Sequence, residues 1–336
     1  MFALVVVTAV YFARGGADAK PLPGAPLRDL GKRREIEVGT AVRGGVLRRN
    51  RAYRQIAAAQ FSSVTPENGM KWANVEPSRG DFKFDVGDEV VATARDAGQK
   101  VRGHTLVWHA QLPQWVRELG PTQLRDAMHE HIQHVMSHYK DDVRVWDVVN
   151  EPIDDRGGLR RSVFERRLGP GYIADAFRTA RAVDAGAKLY LNEIGAERID
   201  AKSDRLYEVV RDLKAQGVPI DGVGFETHVN LDGVPPGFVD NMRRFRALGL
   251  DVSITEADVA LRVPPSAADL RKQAEIYAQI VRDCLAVQCR SLTFWGFTDG
   301  RSWISETQAG MGAATLLDDE LRPKPAFFAV QQALGG

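Results

Sequence analysis

Residues 188–226 read KLYLNEIGAERIDAKSDRLYEVVRDLKAQGVPIDGVGFE and contain one copy of a pattern that recurs along the chain. The stretch begins with Lys188–Asn192, a short run rich in apolar and aromatic residues that is typical of a buried strand. It continues with Asp204–Gln216, an amphipathic helical stretch that ends at Gly217. A second strand-like run, Gly222–Glu226, follows. A strand, a helix and a further strand in this order predict parallel strands joined by a helix.

The same alternation extends from about residue 36 to the C-terminus. The predicted strands are Ile36–Ala41, Ser62–Thr65, Lys100–Val107, Arg144–Val149, Lys188–Asn192, Gly222–Glu226, Asp251–Thr255 and Ser291–Phe297. The predicted helices are Arg49–Gln60, Val86–Ala97, Thr122–Tyr139, Tyr172–Val183, Asp204–Gln216, Gly237–Leu248, Ala267–Val287 and Pro325–Leu334. Eight strand–helix units are the number that closes a (β/α)8 barrel.

A doubly wound open sheet is the alternative arrangement of such units. That fold is expected to carry a glycine-rich phosphate-binding turn after an early strand, and Gly39 and Gly44–Gly45 do not form one. The sequence therefore predicts an α/β protein with a single (β/α)8 TIM barrel. We assign residues 36–336 to the barrel domain and residues 20–35 to an N-terminal lead-in.

Composition restricts the class of protein. Of 336 residues, 44% are hydrophobic, which is enough for a large core and excludes a disordered or fibrous chain. The 45 Lys and Arg nearly balance the 44 Asp and Glu, so no nucleic-acid partner is expected.

The N-terminus carries features of a secretion signal, which we assign to residues 1–19. Phe2–Ala13 is an apolar run, shorter than the roughly 20 residues that a membrane-spanning helix needs. The small-x-small site Ala17-Asp18-Ala19 follows it. No Lys or Arg precedes the run, so a start further upstream, an uncleaved anchor, and a disordered or docked segment remain alternatives. Export would make the protein secreted or periplasmic, with no stable membrane span after signal removal.

The two cysteines, Cys284 and Cys289, are too few for a disulfide scaffold or a zinc site. One local disulfide and two buried thiols are both compatible with the spacing, and the compartment decides between them. Four histidines lie within Thr122–Tyr139, but Gln133 breaks the H-E-x-x-H pattern of zinc enzymes. We predict a solvated helix face there and no metal site.

Active sites of (β/α)8 barrels lie at the C-terminal ends of the strands, where this chain gathers polar and aromatic residues. Glu151 follows the fourth predicted strand and Glu256 follows the seventh, so the two carboxylates are expected to face each other across the barrel. Glycoside hydrolysis uses such a pair, about 5–5.5 Å apart for retention and about 6.5–9.5 Å for inversion. The sequence leaves that distance open. The remaining candidates could stack on or hydrogen-bond a sugar: Asn68, Lys71, Trp108, Gln111, Asn150, Asn192, Trp295 and Trp303.

Five motifs now make a resemblance specific. They are TPENGMKW (65–72), GHTLVWHAQLPQW (103–115), WDVVNEP (146–152), ITEADV (254–259) and FWGFTDGRSWI (294–304). In this order, each at a strand end, they resemble the endo-β-1,4-xylanases of glycoside hydrolase family 10. The resemblance covers the chain from about Val38 to Leu334.

The resemblance implies a role for each residue that matches a family motif. Glu151 would be the general acid/base and Glu256 the nucleophile, with Asn150 holding the sugar 2-hydroxyl. His228 and Asp258 would form a hydrogen-bonded chain that orients Glu256 and keeps it ionised. The residues that would line or cover the glycone side are Glu67, Asn68, Lys71, His104, Trp108, Gln111, Trp295 and Trp303.

The family retains anomeric configuration, uses no cofactor and needs no metal for its chemistry. The implied partner is xylan or a xylo-oligosaccharide, and we expect a monomer. If the protein is exported, the resemblance also implies a structural disulfide between Cys284 and Cys289.

Three positions depart from the family pattern. Asn192-Glu193, where the family usually has Asn-Asp, and Arg301, where it often has an aromatic residue or histidine at the cleft edge, are the smaller departures. Glu226 stands where the family usually has glutamine, two residues before His228 and close to the implied nucleophile. Two like charges in one pocket cannot comfortably both ionise, so we expect one of them to titrate high. Activity should be weaker, or shifted to lower pH, than in a Glu226→Gln variant. Two alternatives to a xylanase are a related β-1,4-glucanase and a barrel that binds sugar, or an inhibitory partner, without turnover.

Overall fold

The computed structural model describes residues 18–336, and the predicted apolar run Phe2–Ala13 lies outside them. Eight parallel strands form a closed barrel. They are Glu37–Val42, Ser63–Pro66, Lys100–Trp108, Val143–Asn150, Lys188–Glu193, Gly222–Phe225, Asp251–Val259 and Ser291–Phe294. Each strand pairs with the next, and the eighth closes the barrel by pairing with both the seventh and the first. The (β/α)8 prediction is confirmed.

The helices surround the barrel and alternate with its strands. They are Leu27–Arg33, Gly44–Arg49, Arg51–Gln60, Trp72–Val75, Asp85–Asp96, Gln114–Glu118, Pro121–His138, Val163–Leu168, Tyr172–Val183, Ala201–Ala215, Phe238–Ala247, Ala267–Ala286, Trp303–Thr307 and Pro325–Gly335. The predicted helix Tyr172–Val183 has the observed bounds, and the other long helices agree to within a few residues. The short helices after strand ends were not predicted, because four to seven residues show too little periodicity to read.

Close packing between the third and fourth strands depends on a glycine. A side chain at Gly103 would place its Cβ 2.2 Å from the ring of Trp146, which is buried in the core. The large indole therefore fills the space beside a residue that has no side chain. This packing holds together the two strands that end in Trp108 and Asn150.

The predicted lead-in contains a helix, Leu27–Arg33, which contacts the first strand and the C-terminal helix Pro325–Gly335. Its first amide, on Leu27, donates to the side chain of Gln60 at 3.2 Å. The segment therefore packs against the barrel from the first described helix onward. No helix within residues 18–336 is both long and apolar enough to cross a bilayer.

Two expectations need correction. Cys284 and Cys289 are buried free thiols, where the resemblance implied a disulfide. Cys284 lies in the last turn of Ala267–Ala286, and the amide of Cys289 donates to its carbonyl, so backbone hydrogen bonding already closes this turn. On helix Pro121–His138, the predicted solvated face includes His131, which is fully buried. Its ring stacks on Trp72 at a centroid distance of 4.0 Å, which removes it from water.

Candidate active site

A cleft of about 340 Å³ opens at the C-terminal ends of the barrel strands. Every predicted site residue lines it except Asn192 and Asp258, which lie directly behind its wall. The lining residues are Glu67, Asn68, Lys71, His104, Trp108, Gln111, Asn150, Glu151, Ile194, Glu226, His228, Glu256, Trp295, Trp303, Glu306 and Thr307. Residues that are distant in the sequence therefore meet in one cavity.

Glu256, on the seventh strand, is buried and surrounded by donors. Asn192 Nδ2 donates to its Oε1 at 2.8 Å, and His228 Nε2 lies 3.4 Å from its Oε2. Burial alone would raise the pKa of Glu256, but His104, His228 and Lys71 outweigh it and lower that pKa below its ordinary value. The group is therefore a carboxylate at neutral pH, as a nucleophile must be.

Asp258 lies next to the ring nitrogen of His228 that does not face Glu256, and it stabilises the charged form of the ring. His228 Nδ1 lies 3.0 Å from Asp258 Oδ1, and Trp303 Nε1 donates to the other oxygen of Asp258 at 2.7 Å. Burial opposes the charge on His228, but the carboxylates of Asp258 and Glu256 raise its pKa to about 10. An imidazolium thus faces the nucleophile, in line with the predicted hydrogen-bonded chain.

Glu151 follows the fourth strand in a left-handed backbone conformation with φ of 51°. The amide of Glu151 donates to the carbonyl of Asn192 at 2.9 Å, and Arg160 Nε donates to the carbonyl of Glu151 at 2.9 Å. Burial raises the pKa of Glu151, and the negative charge of Glu256 raises it further. One carboxyl of the pair is therefore biased towards the acid and the other towards the anion.

Side-chain amides connect the two carboxyls. Asn150 Nδ2 donates to Glu151 Oε1 at 3.3 Å, and Asn192 Nδ2 donates to Asn150 Oδ1 at 2.9 Å and also to Glu256. Thr255 in turn donates to Asn192 Oδ1 at 2.7 Å, which fixes the orientation of that amide. Two acids of opposite protonation bias, joined across one cleft, are the arrangement that two-carboxylate glycoside hydrolysis requires.

Comparison with known proteins agrees with this chemistry. Residues 26–333 match the profile of "Glycosyl hydrolase family 10". The chain belongs to glycosyl hydrolase family 10.

Relatives of this family 10 hydrolase include an endo-1,4-beta-xylanase of Agaricus bisporus, 42% identical over 80% of this chain and 82% of that protein. The crystal structure of xylanase 10B from Thermotoga maritima is similar, with a TM-score of 0.90 and 39% identity over 92% of this chain and 98% of that one. Xylanase 10B from Thermotoga petrophila, solved in complex with xylobiose, has a TM-score of 0.90 and 38% identity, covering 94% and 98%.

Glu226 brings a third buried carboxyl into the centre of the family 10 site. Asn192 Nδ2 donates to its Oε1 at 3.1 Å, and His228 Nε2 lies 3.7 Å from its Oε2. Burial, followed by the charges of Glu256 and Glu151, raises the pKa of Glu226 well above its ordinary value. Glu226 therefore shares its donors with the nucleophile.

The implied glycone side of the hydrolase combines cations, amides and aromatic faces. Lys71 Nζ donates to Asn68 Oδ1 at 3.1 Å and lies 4.8 Å from the centre of the Trp108 ring and 5.9 Å from that of Trp295. Asn68 donates to Glu67 at 3.2 Å. Burial lowers the pKa of Lys71.

The structure adds a contact at the cleft edge that the sequence reasoning missed. Arg43 donates to Glu67 at 2.8 Å and, with two nitrogens, to Glu306 at 2.6 and 3.0 Å. Glu306 lies on the short helix that carries Trp303, so Arg43 ties this helix to the end of the first strand. The only sequence signal was the position of Arg43 immediately after a strand.

A second missed group lies behind the cleft. Arg102 Nε donates to Asp147 Oδ2 at 3.1 Å, and the same oxygen lies 3.1 Å from His104 Nδ1. Arg102 and Asp147 could have been noticed as charges within otherwise apolar strands, because buried charges are normally paired. Their contact holds the ring of His104 beside Glu256.

Glu226, His228 and Glu256 offer three ligand atoms within 4.8 Å of one another. The pKa of His228 is raised to about 10, so a metal ion at this cluster would have to displace a proton from the imidazole before the ring could ligate it. The close contacts of the three groups help to explain why the pKa values of Glu226 and His228 are raised and that of Glu256 is lowered.

Proposed function

We propose that this family 10 hydrolase is a retaining endo-1,4-β-xylanase in which Glu256 is the nucleophile and Glu151 the general acid/base. The observation that carries the proposal is the opposite shift in the pKa of two carboxyls on one cleft: Glu256 lowered and Glu151 raised. Double displacement needs one anion and one acid at the start of the cycle, and these environments supply them.

In the first step Glu256 attacks the anomeric carbon of the sugar bound at the cleavage point. Glu151 gives its proton to the glycosidic oxygen, the bond to the leaving chain breaks, and a covalent glycosyl-enzyme forms. Glu256 is then an ester without charge, so the pKa of Glu151 falls. Glu151 can now take a proton from water, which attacks the same carbon and releases a product with retained configuration.

The surrounding groups suit a xylose chain. Asn192 donates to Asn150 Oδ1 at 2.9 Å and so fixes the amide that would hold the sugar 2-hydroxyl. Trp108, Trp295 and Trp303 offer flat faces for sugar rings. The complex of a similar Thermotoga petrophila xylanase with xylobiose supports the choice of β-1,4-linked xylose as substrate. We further propose a monomeric protein that is secreted or periplasmic.

The direct test is release of reducing sugar from xylan and from soluble cellulose, with the product sizes measured. We expect xylo-oligosaccharides of mixed length from xylan and much slower release from cellulose. The anomer first released, followed by proton NMR, should be β. Comparable rates on cellulose would contradict the substrate, and initial release of the α-anomer would contradict the mechanism.

The residue assignment is tested by Glu256→Ala. We expect turnover to be lost on every substrate, because alanine cannot form the covalent intermediate. Circular dichroism and the thermal midpoint show whether the variant is folded. Retained turnover in a folded variant would rule out Glu256 as the nucleophile.

A further inference from the structure

The loop that carries Glu151 is anchored by two consecutive residues of the fifth strand. The carbonyl of Asn192 accepts from the amide of Glu151 at 2.9 Å, and Glu193 Oε2 accepts from the amide of Ile153 at 2.9 Å. Because successive side chains of a strand point to opposite faces, Asn192 reaches the nucleophile while Glu193 turns to the outer side of the barrel. One dipeptide therefore contacts both catalytic elements.

Glu193 contacts Lys202, which also binds the loop after the fourth strand. The side chain of Glu193 is fully buried, and Lys202 Nζ lies 3.4 Å from its Oε1. Lys202 also donates to Asp155 at 3.1 Å, two residues beyond Ile153. The loop after the fourth strand is thus held at two points, Ile153 and Asp155, by Glu193 and the lysine that contacts it.

The loop needs such support because its backbone is strained at Glu151. A φ of 51° is uncommon for a residue with a side chain and persists only where the surroundings hold it. Arg160 supports the other edge by donating to the carbonyls of Glu151 and Ile153, both at 2.9 Å. The backbone amides of Glu151 and Ile153 are held by Asn192 and Glu193, respectively.

We infer that Glu193, with Lys202, is a positioning residue that holds the general acid Glu151 at the correct distance from the glycosidic oxygen. It acts through the amide of Ile153 and does not touch substrate. This inference rests on the proposed role of Glu151. A general acid contributes about 10²–10⁴-fold, and a displacement of about 1 Å can cost much of that contribution.

The test compares two aryl β-xylobiosides that differ only in the leaving group. Phenol is a poor leaving group and needs protonation, whereas 2,4-dinitrophenol leaves with little help. For Glu193→Ala we expect kcat/KM to fall about tenfold or more on the phenyl substrate and less than about twofold on the dinitrophenyl substrate. Glu151→Ala should show the same split, larger in size.

Glu193→Gln is the conservative control. Burial raises the pKa of Glu193 to about 8, so at pH 6 the amide resembles the neutral acid and still accepts from Ile153. We expect its kcat/KM to stay within about threefold of wild type on both substrates.

Asp299→Asn is the matched structural control. Asp299 is also a largely buried carboxyl that accepts from a backbone amide, of Thr315 at 2.8 Å, and pairs with a lysine, Lys324, at 2.9 Å. It lies in the loop after the eighth strand, remote from the Glu151 loop in the barrel order. Any loss in Asp299→Asn should be equal for the two leaving groups.

If Glu193→Ala does not fold, Lys202→Met gives the same answer by removing the ammonium group that joins Glu193 and Asp155. For Lys202→Met we again expect kcat/KM to fall more on the phenyl substrate than on the dinitrophenyl substrate, with a smaller difference between the two than in Glu193→Ala. Equal losses on both substrates, or no loss, in the folded variants would overturn the role of Glu193. Absence of the split in Glu151→Ala would instead overturn the proposed function.

Discussion

Trp303 Nε1 donates a hydrogen bond of 2.7 Å to Asp258, whose other oxygen lies 3.0 Å from His228 Nδ1. The aromatic wall of the cleft is therefore joined, through one buried carboxylate, to the imidazole that faces the nucleophile. Asp258 therefore contacts both the indole of Trp303 and the imidazole that helps to keep Glu256 ionised. Substitutions along this chain should consequently change the pH dependence as well as the affinity.

Asp258→Asn should lower the pKa of His228. The Asp258 carboxylate is a main reason that this pKa is raised to about 10, so without it the imidazole loses its proton at lower pH. Above that pH Glu256 faces a neutral ring and loses one of the positive charges that lower its own pKa. We expect the maximal kcat/KM to fall by about tenfold. NMR titration of the His228 ring, with kcat/KM profiles of both proteins from pH 3 to 9, tests this, and an unchanged His228 titration would speak against the coupling.

Trp303→Phe separates the two roles of the indole. Phenylalanine keeps a flat apolar face but has no donor for Asp258. We expect kcat on xylohexaose to fall by about threefold to tenfold, the scale of the net contribution of one ordinary hydrogen bond, while KM changes little. Trp303→Ala, which loses the face as well, should also raise KM. Identical kinetic constants for Trp303→Phe and wild type would show that the hydrogen bond is irrelevant to catalysis.

Glu226→Gln should remain active to higher pH than the wild type. Asn192 Nδ2 donates to both Glu226 and Glu256, and His228 lies near both. Once Glu226 ionises it competes with the nucleophile for these donors, whereas a glutamine does not. The measurement is kcat/KM against pH for the two proteins. Superimposable profiles would remove the idea that Glu226 limits activity.

Relative to the wild type, Glu226→Gln should become more stable as the pH rises. The pKa of Glu226 is raised in the folded state, so between pH 5 and 8 the unfolded chain releases a proton that the folded chain keeps. Stability attributable to Glu226 therefore declines with rising pH, and glutamine removes this decline. Glu226→Gln should gain on the order of 1 kcal/mol in unfolding free energy at pH 8 relative to its difference at pH 5. Urea unfolding at both pH values tests it, and a pH-independent difference would contradict the assignment.

Much of the fold could be predicted because each strand and helix carries its own period. Tyr172–Val183 has apolar residues on one face, and its observed bounds are those predicted. The seventh strand is longer than predicted, running to Val259 instead of Thr255, because the polar residues of the site lie within it. The lead-in helix Leu27–Arg33 was missed because seven residues give no clear period.

The candidate site was predictable to a similar degree. Motif residues such as Glu151, Asn150 and Glu256 do line one cleft, since parallel strands bring their C-terminal ends to one rim. Arg43 and Glu193 were not assigned a role, because their importance comes from partners far away in the chain. Glu306 and Ile153 are those partners. The spacing of Cys284 and Cys289 left a disulfide and two buried thiols both open, and the structure has the thiols where the resemblance, for an exported protein, implied the disulfide.

The amino-acid sequence by itself determined the barrel, the rim on which the chemistry lies and the identity of the two acids. These follow from local periodicity and from short motifs at strand ends. The protonation of each acid was decided only by tertiary structure. Burial and the charges of neighbours from other strands lower the pKa of Glu256 and raise that of Glu151, and electrostatic interactions depend on distances in space that residue order does not contain.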